Sequence, residues 1–206
     1  RMKKVTKEEL EAMDAMSLKC AQELSDAHVN VMGYACLVAI MSMGRGYHCV
    51  SEVNLHQETV ANDFPTPIVT SAGALINGLK VLGAKQISII TPYMRPLTDM
   101  VVDYIENQGI KVKQSIALEI PDNLEVAAQN PMNLLEIYKQ LDLTDVDVLV
   151  ASACVQMPSL EAIDLIQAEC GIPVTSAAVC TTYEMMKKIG IEAKSAIGGE
   201  LLSGKY

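Results

Sequence analysis

Tryptophan is absent from this 206-residue chain, and phenylalanine occurs once, at Phe64. Large aromatic rings therefore cannot fill the interior. Half of the residues are apolar and 12 are methionine, so the core is expected to be aliphatic and Met-rich. No run of about 18 apolar residues occurs, which excludes a sequence typical of a membrane-spanning helix. Basic residues are few, 16 against 25 acidic ones, for a net charge of −9. Without a basic stripe the chain is not expected to bind nucleic acid. No CxxC or CxxxC pair is present, so no zinc or other metal site is expected. The six cysteines, Cys20, Cys36, Cys49, Cys154, Cys170 and Cys180, are scattered rather than arranged as a dense disulfide framework. They are expected to be free thiols in a reducing compartment. With no secretory leader in view, the expected location is the cytoplasm. The chain opens with Arg1-Met2 rather than with methionine, and the expectation is that an N-terminal piece is missing.

What is present is enough chain for one large domain or two small ones. Residues 6–27 read as a helix, with Thr6 and Glu9 spaced as a capping box. Short apolar runs then suggest buried parallel strands at 29–33, 67–70, 87–91, 110–112, 146–151 and 173–176. Helical stretches at 72–82, 97–108, 131–140, 159–169 and 178–189 alternate with them, and Gly83, Gly109 and Gly190 mark helix ends. Such alternation implies an α/β fold with right-handed crossovers.

A repeat is the most informative feature. Val29-Asn30-Val31-Met32-Gly33-Tyr34-Ala35-Cys36 is similar to Val146-Asp147-Val148-Leu149-Val150-Ala151-Ser152-Ala153-Cys154. Pro67-Ile68-Val69-Thr70-Ser71-Ala72 follows the first segment, and Pro173-Val174-Thr175-Ser176-Ala177 follows the second. Strand, Cys, helix, strand, Thr-Ser-Ala and helix are thus expected twice, as two pseudosymmetric halves. Ligands in open α/β sheets bind at the carboxyl ends of strands. A pseudo-twofold axis would bring both thiols to one cleft.

A thiolate is a strong nucleophile, and a thiol is a proton donor near neutral pH. The N–H groups of Leu37, Val38, Val155 and Gln156 would form anion cradles beside the sulfurs. The constellation suits acid–base or addition chemistry at a carbon next to a carboxylate, with an enediolate stabilised by the same donors. A single cysteine after a strand is more often a packing residue, but two in matched repeats favour catalysis. Cys20, Cys49, Cys170 and Cys180 lack that context and read as structural. Thr70-Ser71 and Thr175-Ser176 read mostly as helix caps. Of the histidines His28, His48 and His56, none directly follows a repeat strand. His48, in Gly44-Arg45-Gly46-Tyr47-His48, reads as part of a solvated loop.

Gly33-Tyr34-Ala35-Cys36-Leu37-Val38 and Ser152-Ala153-Cys154-Val155-Gln156-Met157-Pro158 resemble the two cysteine motifs of the aspartate/glutamate racemase superfamily. Within it the resemblance is greatest to the maleate cis–trans isomerases. It extends to Thr91-Pro92-Tyr93-Met94, Glu119-Ile120-Pro121-Asp122-Asn123 and Leu201-Leu202-Ser203-Gly204, and so covers essentially the whole chain. It implies two halves, each a mainly parallel sheet flanked by helices, with the active site in the cleft between them. The first half would be 1–84, joined by 179–206, and the second 85–178. The resemblance further implies maleate-to-fumarate isomerisation without cofactor or metal, with Cys36 as nucleophile and Cys154 as proton donor and acceptor. Tyr93 and Asn123 match family residues that hydrogen-bond substrate carboxylates, although each also suits an ordinary loop or turn. The implied partner is a small dicarboxylate, and the implied assembly is a homodimer or higher oligomer. The family's first strand, with its Asn-bearing loop, has no counterpart before Arg1.

Two other functions are compatible with the pattern. A two-thiol amino-acid racemase of the same superfamily usually has polar residues after its cysteines, whereas Leu37-Val38 and Val155 follow here. Arylmalonate decarboxylases keep only the second cysteine, and Cys36 argues against them. A non-catalytic dicarboxylate-binding protein would need the scaffold but not two reactive thiols.

Overall fold

Strand-like apolar runs divided by amphipathic helices form parallel sheets when each crossover covers a sheet face. The computed structural model describes residues 7–206 and has this architecture. Its elements run α1 (Lys7–Ser25), β1 (Met32–Tyr34), α2 (Leu37–Ser42), α3 (Tyr47–Ala61), β2 (Ile68–Thr70) and α4 (Ser71–Val81). They continue with β3 (Gln86–Thr91), α5 (Arg95–Asn107), β4 (Lys111–Ala117), α6 (Asn123–Ala127) and α7 (Leu134–Ile137). β5 (Val148–Ser152), α8 (Leu160–Cys170), β6 (Val174–Ser176) and α9 (Ala177–Lys188) complete the order. Thr6, half of the expected capping box, lies outside the described residues.

The strands form two parallel sheets, one with order β1-β2 and one with order β4-β3-β5-β6. β3 and β5 are central. Ile87, Ile89, Ile90, Val148, Leu149 and Val150 are fully buried, as strands covered on both faces require. The repeat is visible in the pairings. Gly33 pairs with Val69 in β1-β2, and Val150 pairs with Thr175 in β5-β6. α4 and α9, which follow the two Thr-Ser-Ala segments, pack on each other. Thr70 and Ser176 cap them, accepting from the N–H groups of Gly73 and Val179. Gly83, Gly109 and Gly190 all have φ between 71° and 83°, the left-handed conformation in which glycine ends a helix without strain.

Several expectations change. The segment 131–140 is not one helix: Pro131–Asn133 and Tyr138–Gln140 are 3-10 turns on either side of α7. The expected strand at 110–112 runs on to Ala117. Helix α3 occupies residues that gave no helical signal. Its buried face is His48, Ser51, Leu55 and Thr59, so the helical spacing is present but only one member is apolar. The two repeats also diverge after their cysteines. α2 begins directly at Leu37, whereas α8 waits until Leu160, beyond Pro158, which disfavours helical backbone at Met157. Among the described residues no helix is long and apolar enough to cross a membrane.

Candidate active site

Three strands deliver candidate side chains at the same step. Cys36 is two residues beyond β1, Tyr93 two beyond β3 and Cys154 two beyond β5. β3 and β5 share one sheet and β1 belongs to the other, and the carboxyl ends of all three strands meet at one rim. The rim opens onto a cavity of about 500 Å³, within the range of small-molecule sites. Cys36, Leu37, Val38, Tyr93, Asn123, Cys154 and Val155 all line it. The candidate residues picked out in the sequence are therefore brought together. Among the described residues, none that lines it is lysine, arginine, aspartate or glutamate. An anion held here would rest on N–H, amide and hydroxyl donors.

The two thiols have different settings. Cys36 is the N-cap of α2, with extended backbone at φ −124°, and Leu37 and Val38 are its first helical residues. Their N–H groups are among those that a helix start leaves without an internal acceptor. Burial pushes the Cys36 thiol above its ordinary pKa, the Ala39 N–H draws it back, and the neighbouring Cys154 raises it further. Cys154 is 8% exposed. It sits in a bend fixed by Ser152, whose hydroxyl donates to the Cys154 carbonyl at 2.9 Å and accepts from the Cys154 N–H at 3.3 Å. Val155 and Gln156 thus belong to a bend and not to a helix start, which corrects the expectation of matching helical cradles.

Tyr93 donates from its hydroxyl to the Ala153 carbonyl at 3.2 Å, beside Cys154. Burial first, then the nearby Cys154 and Cys36, keep this phenol well above its usual pKa. The loop leading to Asn123 is pinned to the Tyr93 loop. Leu118, Glu119 and Ile120 donate backbone N–H groups to Thr91, Tyr93 and Pro92. At the far end Gln156 donates its amide to the Asn123 carbonyl at 2.6 Å. Leu97, Met100 and Val126 add an apolar wall that sequence reasoning missed. Leu97 and Met100 are three apart on α5, a spacing that reads as ordinary core packing.

His48 is corrected outright. It is not in a solvated loop but in the first turn of α3, 8% exposed and hydrogen-bonded to Tyr104. His28 stacks on Phe64 with ring centroids 4.1 Å apart, and His56 bonds the Thr66 carbonyl at 2.8 Å. None of the three lines the cavity. All six cysteines are free; Cys180 is buried as expected, but Cys20 and Cys49 are exposed and fill no core. No group of three or more His, Cys, Asp or Glu among the described residues is placed to hold a metal ion.

Residues 1–202 match the family model described as arylmalonate decarboxylase. The chain is 54% identical over all 206 residues to a maleate isomerase of Geobacillus stearothermophilus, covering 82% of that protein. Among solved structures it is similar to the maleate isomerase Iso of Pseudomonas putida S16, in a Cys-to-Ala variant with maleate. That likeness has a TM-score of 0.98 and 58% identity, and covers 100% of this chain and 82% of the other. It is also similar to a Cys-to-Ser mutant of the Nocardia farcinica maleate cis–trans isomerase with a covalently bound succinylcysteine intermediate. There the TM-score is 0.95 and the identity 38%, covering 100% of this chain and 84% of the other.

Proposed function

We propose, for a chain that belongs to the arylmalonate decarboxylase family and within it to the maleate isomerases, cis–trans isomerisation of maleate to fumarate through a covalent cysteine adduct. The observation that carries this reading is the pair of thiols, Cys36 and Cys154, on one cavity whose described lining residues carry no charge.

The chemistry follows from that pairing. The Cys36 thiolate adds to one alkene carbon, and the π electrons move onto the other carbon and its carboxylate as an enediolate. Cys154 gives that carbon its proton, leaving a succinyl group on the Cys36 sulfur. The former double bond is now single and rotates. Cys154 takes the proton back, the electron pair re-forms the double bond, and Cys36 leaves as thiolate. Atoms and electrons balance with no redox partner, so the proposed reaction runs without metal or organic cofactor. The N–H groups of Leu37, Val38 and Val155, the Asn123 amide and the Tyr93 hydroxyl, its proton turned from the Ala153 carbonyl, hold the two carboxylates and the enediolate.

The same reading takes the molecule as two pseudosymmetric halves, 1–84 with 179–206 and 85–178, in a cytoplasmic homodimer or larger homo-oligomer. The packing of α9 against α4 supports the return of the C-terminal segment to the first half.

The test is direct. Cys36→Ala should abolish maleate loss followed by NMR, whereas Cys154→Ser should gain the mass of one maleic acid on incubation with substrate, located on Cys36 by peptide mapping. Wild-type turnover in Cys36→Ala would sink the nucleophile assignment.

A further inference from the structure

Cys36 immediately precedes α2, and Leu37–Met41 are all buried. α2 packs on α3 and α4 and also on α5. α5 brings Pro96, Leu97 and Met100 to the cavity, and the Tyr93–Met94 loop leads into it. The position of the Cys36 sulfur relative to Tyr93 and Cys154 is therefore set where the elbow between α2 and α3 meets α5. Two contacts tie that seam. At the surface the Arg45 guanidinium donates to both Asp103 carboxylate oxygens, at 2.6 and 3.1 Å. Both side chains are more than half exposed, and such pairs contribute little. Beneath them lies a buried contact. The Tyr104 hydroxyl accepts the backbone N–H of His48 at 3.1 Å and lies 2.5 Å from His48 Nδ1.

The hydroxyl has a single proton. A main-chain N–H can only donate, so the oxygen accepts there and sends its own proton to Nδ1. That arrangement matches the neutral Nε2–H tautomer of His48, with Nδ1 as acceptor. A protonated imidazole would turn a second N–H toward the same oxygen and leave the hydroxyl proton without an acceptor. The surroundings are closed. A Cβ on Gly73 of α4 would stand 3.1 Å from His48 Cδ2 and 2.8 Å from Glu52 Oε1. The titratable groups facing the pair are Glu52 and Cys49 on α3 and Lys80 on α4, with Glu184 of α9 behind Glu52. Burial holds the imidazole below its ordinary pKa; Glu52 opposes this and Lys80 adds to it.

We propose that His48 and Tyr104 are a positioning pair: the neutral imidazole, locked by the Tyr104 hydroxyl, holds the α2–α3 elbow against α5 and so keeps the Cys36 sulfur in reach of the substrate carbon. Neither residue lines the cavity, so they act through Cys36 and touch no substrate. The inference rests on the reading of Cys36 as nucleophile.

Tyr104→Phe removes the hydroxyl and keeps the ring. With maleate, kcat should fall about 10- to 100-fold, as sub-ångström misplacement of a reacting group does, while KM stays within about twofold. Cys36 should label with iodoacetamide several-fold faster, because the elbow no longer holds it half-buried, while Cys180 labelling stays unchanged. The wild-type pH profile should show an acid limb below the usual imidazole range as His48 protonates. His48→Asn offers a carbonyl oxygen to the Tyr104 proton and cannot titrate. It should retain most of kcat and lose that limb, whereas His48→Leu should lose kcat. A Tyr104→Phe kcat within about twofold of wild type, or Cys36 labelling at the wild-type rate, overturns the proposal. Failure of the wild type itself to turn over maleate would instead count against the proposed function, and the labelling comparison would still decide the role of the pair.

Discussion

Cys180 and Gly78 show how little space a single residue has in this molecule. A Cβ on Gly78 would lie 2.6 Å from Cys180 Sγ and 3.1 Å from its Cβ. The glycine is there because α4 and α9 approach closely at that point. Gly78→Ala should therefore destabilise the fold by about 1–3 kcal/mol through overpacking, measured as a lower urea midpoint. Adding Cys180→Ala removes the sulfur and should recover part of the loss; full wild-type stability in the single variant would mean that the helices separate freely. Sequence alone could class Cys180 as structural but could not place Gly78 against it. The other residue-scale distinctions are similar. Cys20 and Cys49 look like Cys180 in the sequence, yet they are exposed, because burial depends on which helix face meets a neighbour.

At the scale of elements, the capping residues were legible and the helix with a polar buried face was not. Thr70 and Ser176 sit at strand ends before small residues, and each caps the next helix as the pattern suggests. They differ in what else they do. Thr70 also donates from its hydroxyl to Glu52 Oε1 at 2.9 Å, and its N–H reaches the same oxygen at 3.0 Å. Ser176→Ala should cost about 1 kcal/mol, the usual value of a cap. Thr70→Val should cost more, about 2–3 kcal/mol, since it also strips the half-buried Glu52 carboxylate of one hydrogen bond. Equal urea midpoints for the two variants would remove Glu52 from the account. α3 escaped notice because hydrophobic periodicity registers apolar side chains, and its inward positions His48, Ser51 and Thr59 are polar. The partner of His48, Tyr104, comes from elsewhere in the chain, whereas Thr59 bonds the nearby His56 carbonyl and Thr66 N–H.

For the whole molecule, burial of neutral acids sets the response to alkali. Burial moves Cys180 from 9.0 to about 12, with the Thr175 hydroxyl opposing and Glu184 assisting. Cys36 and Tyr93 are shifted in the same direction, chiefly by burial. A group with a raised folded-state pKa holds its proton more tightly in the native chain than in the unfolded one. Its contribution is complete below pH 9.0 and is lost as pH climbs toward about 12. Each such group adds a slope of up to about 1.4 kcal/mol per pH unit. Urea unfolding should show stability falling steadily above pH 9.0, with a shallower slope in Cys180→Ala. A flat wild-type curve there would contradict the burial of these thiols.

The sequence by itself determined the α/β alternation, the matched segments around Cys36 and Cys154, and the helix ends at Gly83, Gly109 and Gly190. These follow from side-chain periodicity, strand-end placement and backbone freedom, which act over a few neighbouring residues. Only the tertiary structure decided that Cys36, Tyr93, Asn123 and Cys154 line one cavity, that Leu97, Met100 and Val126 form part of its wall, and that His48 is buried against Tyr104. It also made the thiols unequal, one capping α2 and the other held in a Ser152 bend. The reason is physical. A cavity and a buried polar contact are made by groups far apart in the chain, which meet only when parallel crossovers bring strand ends together, and no local pattern records which partner waits there.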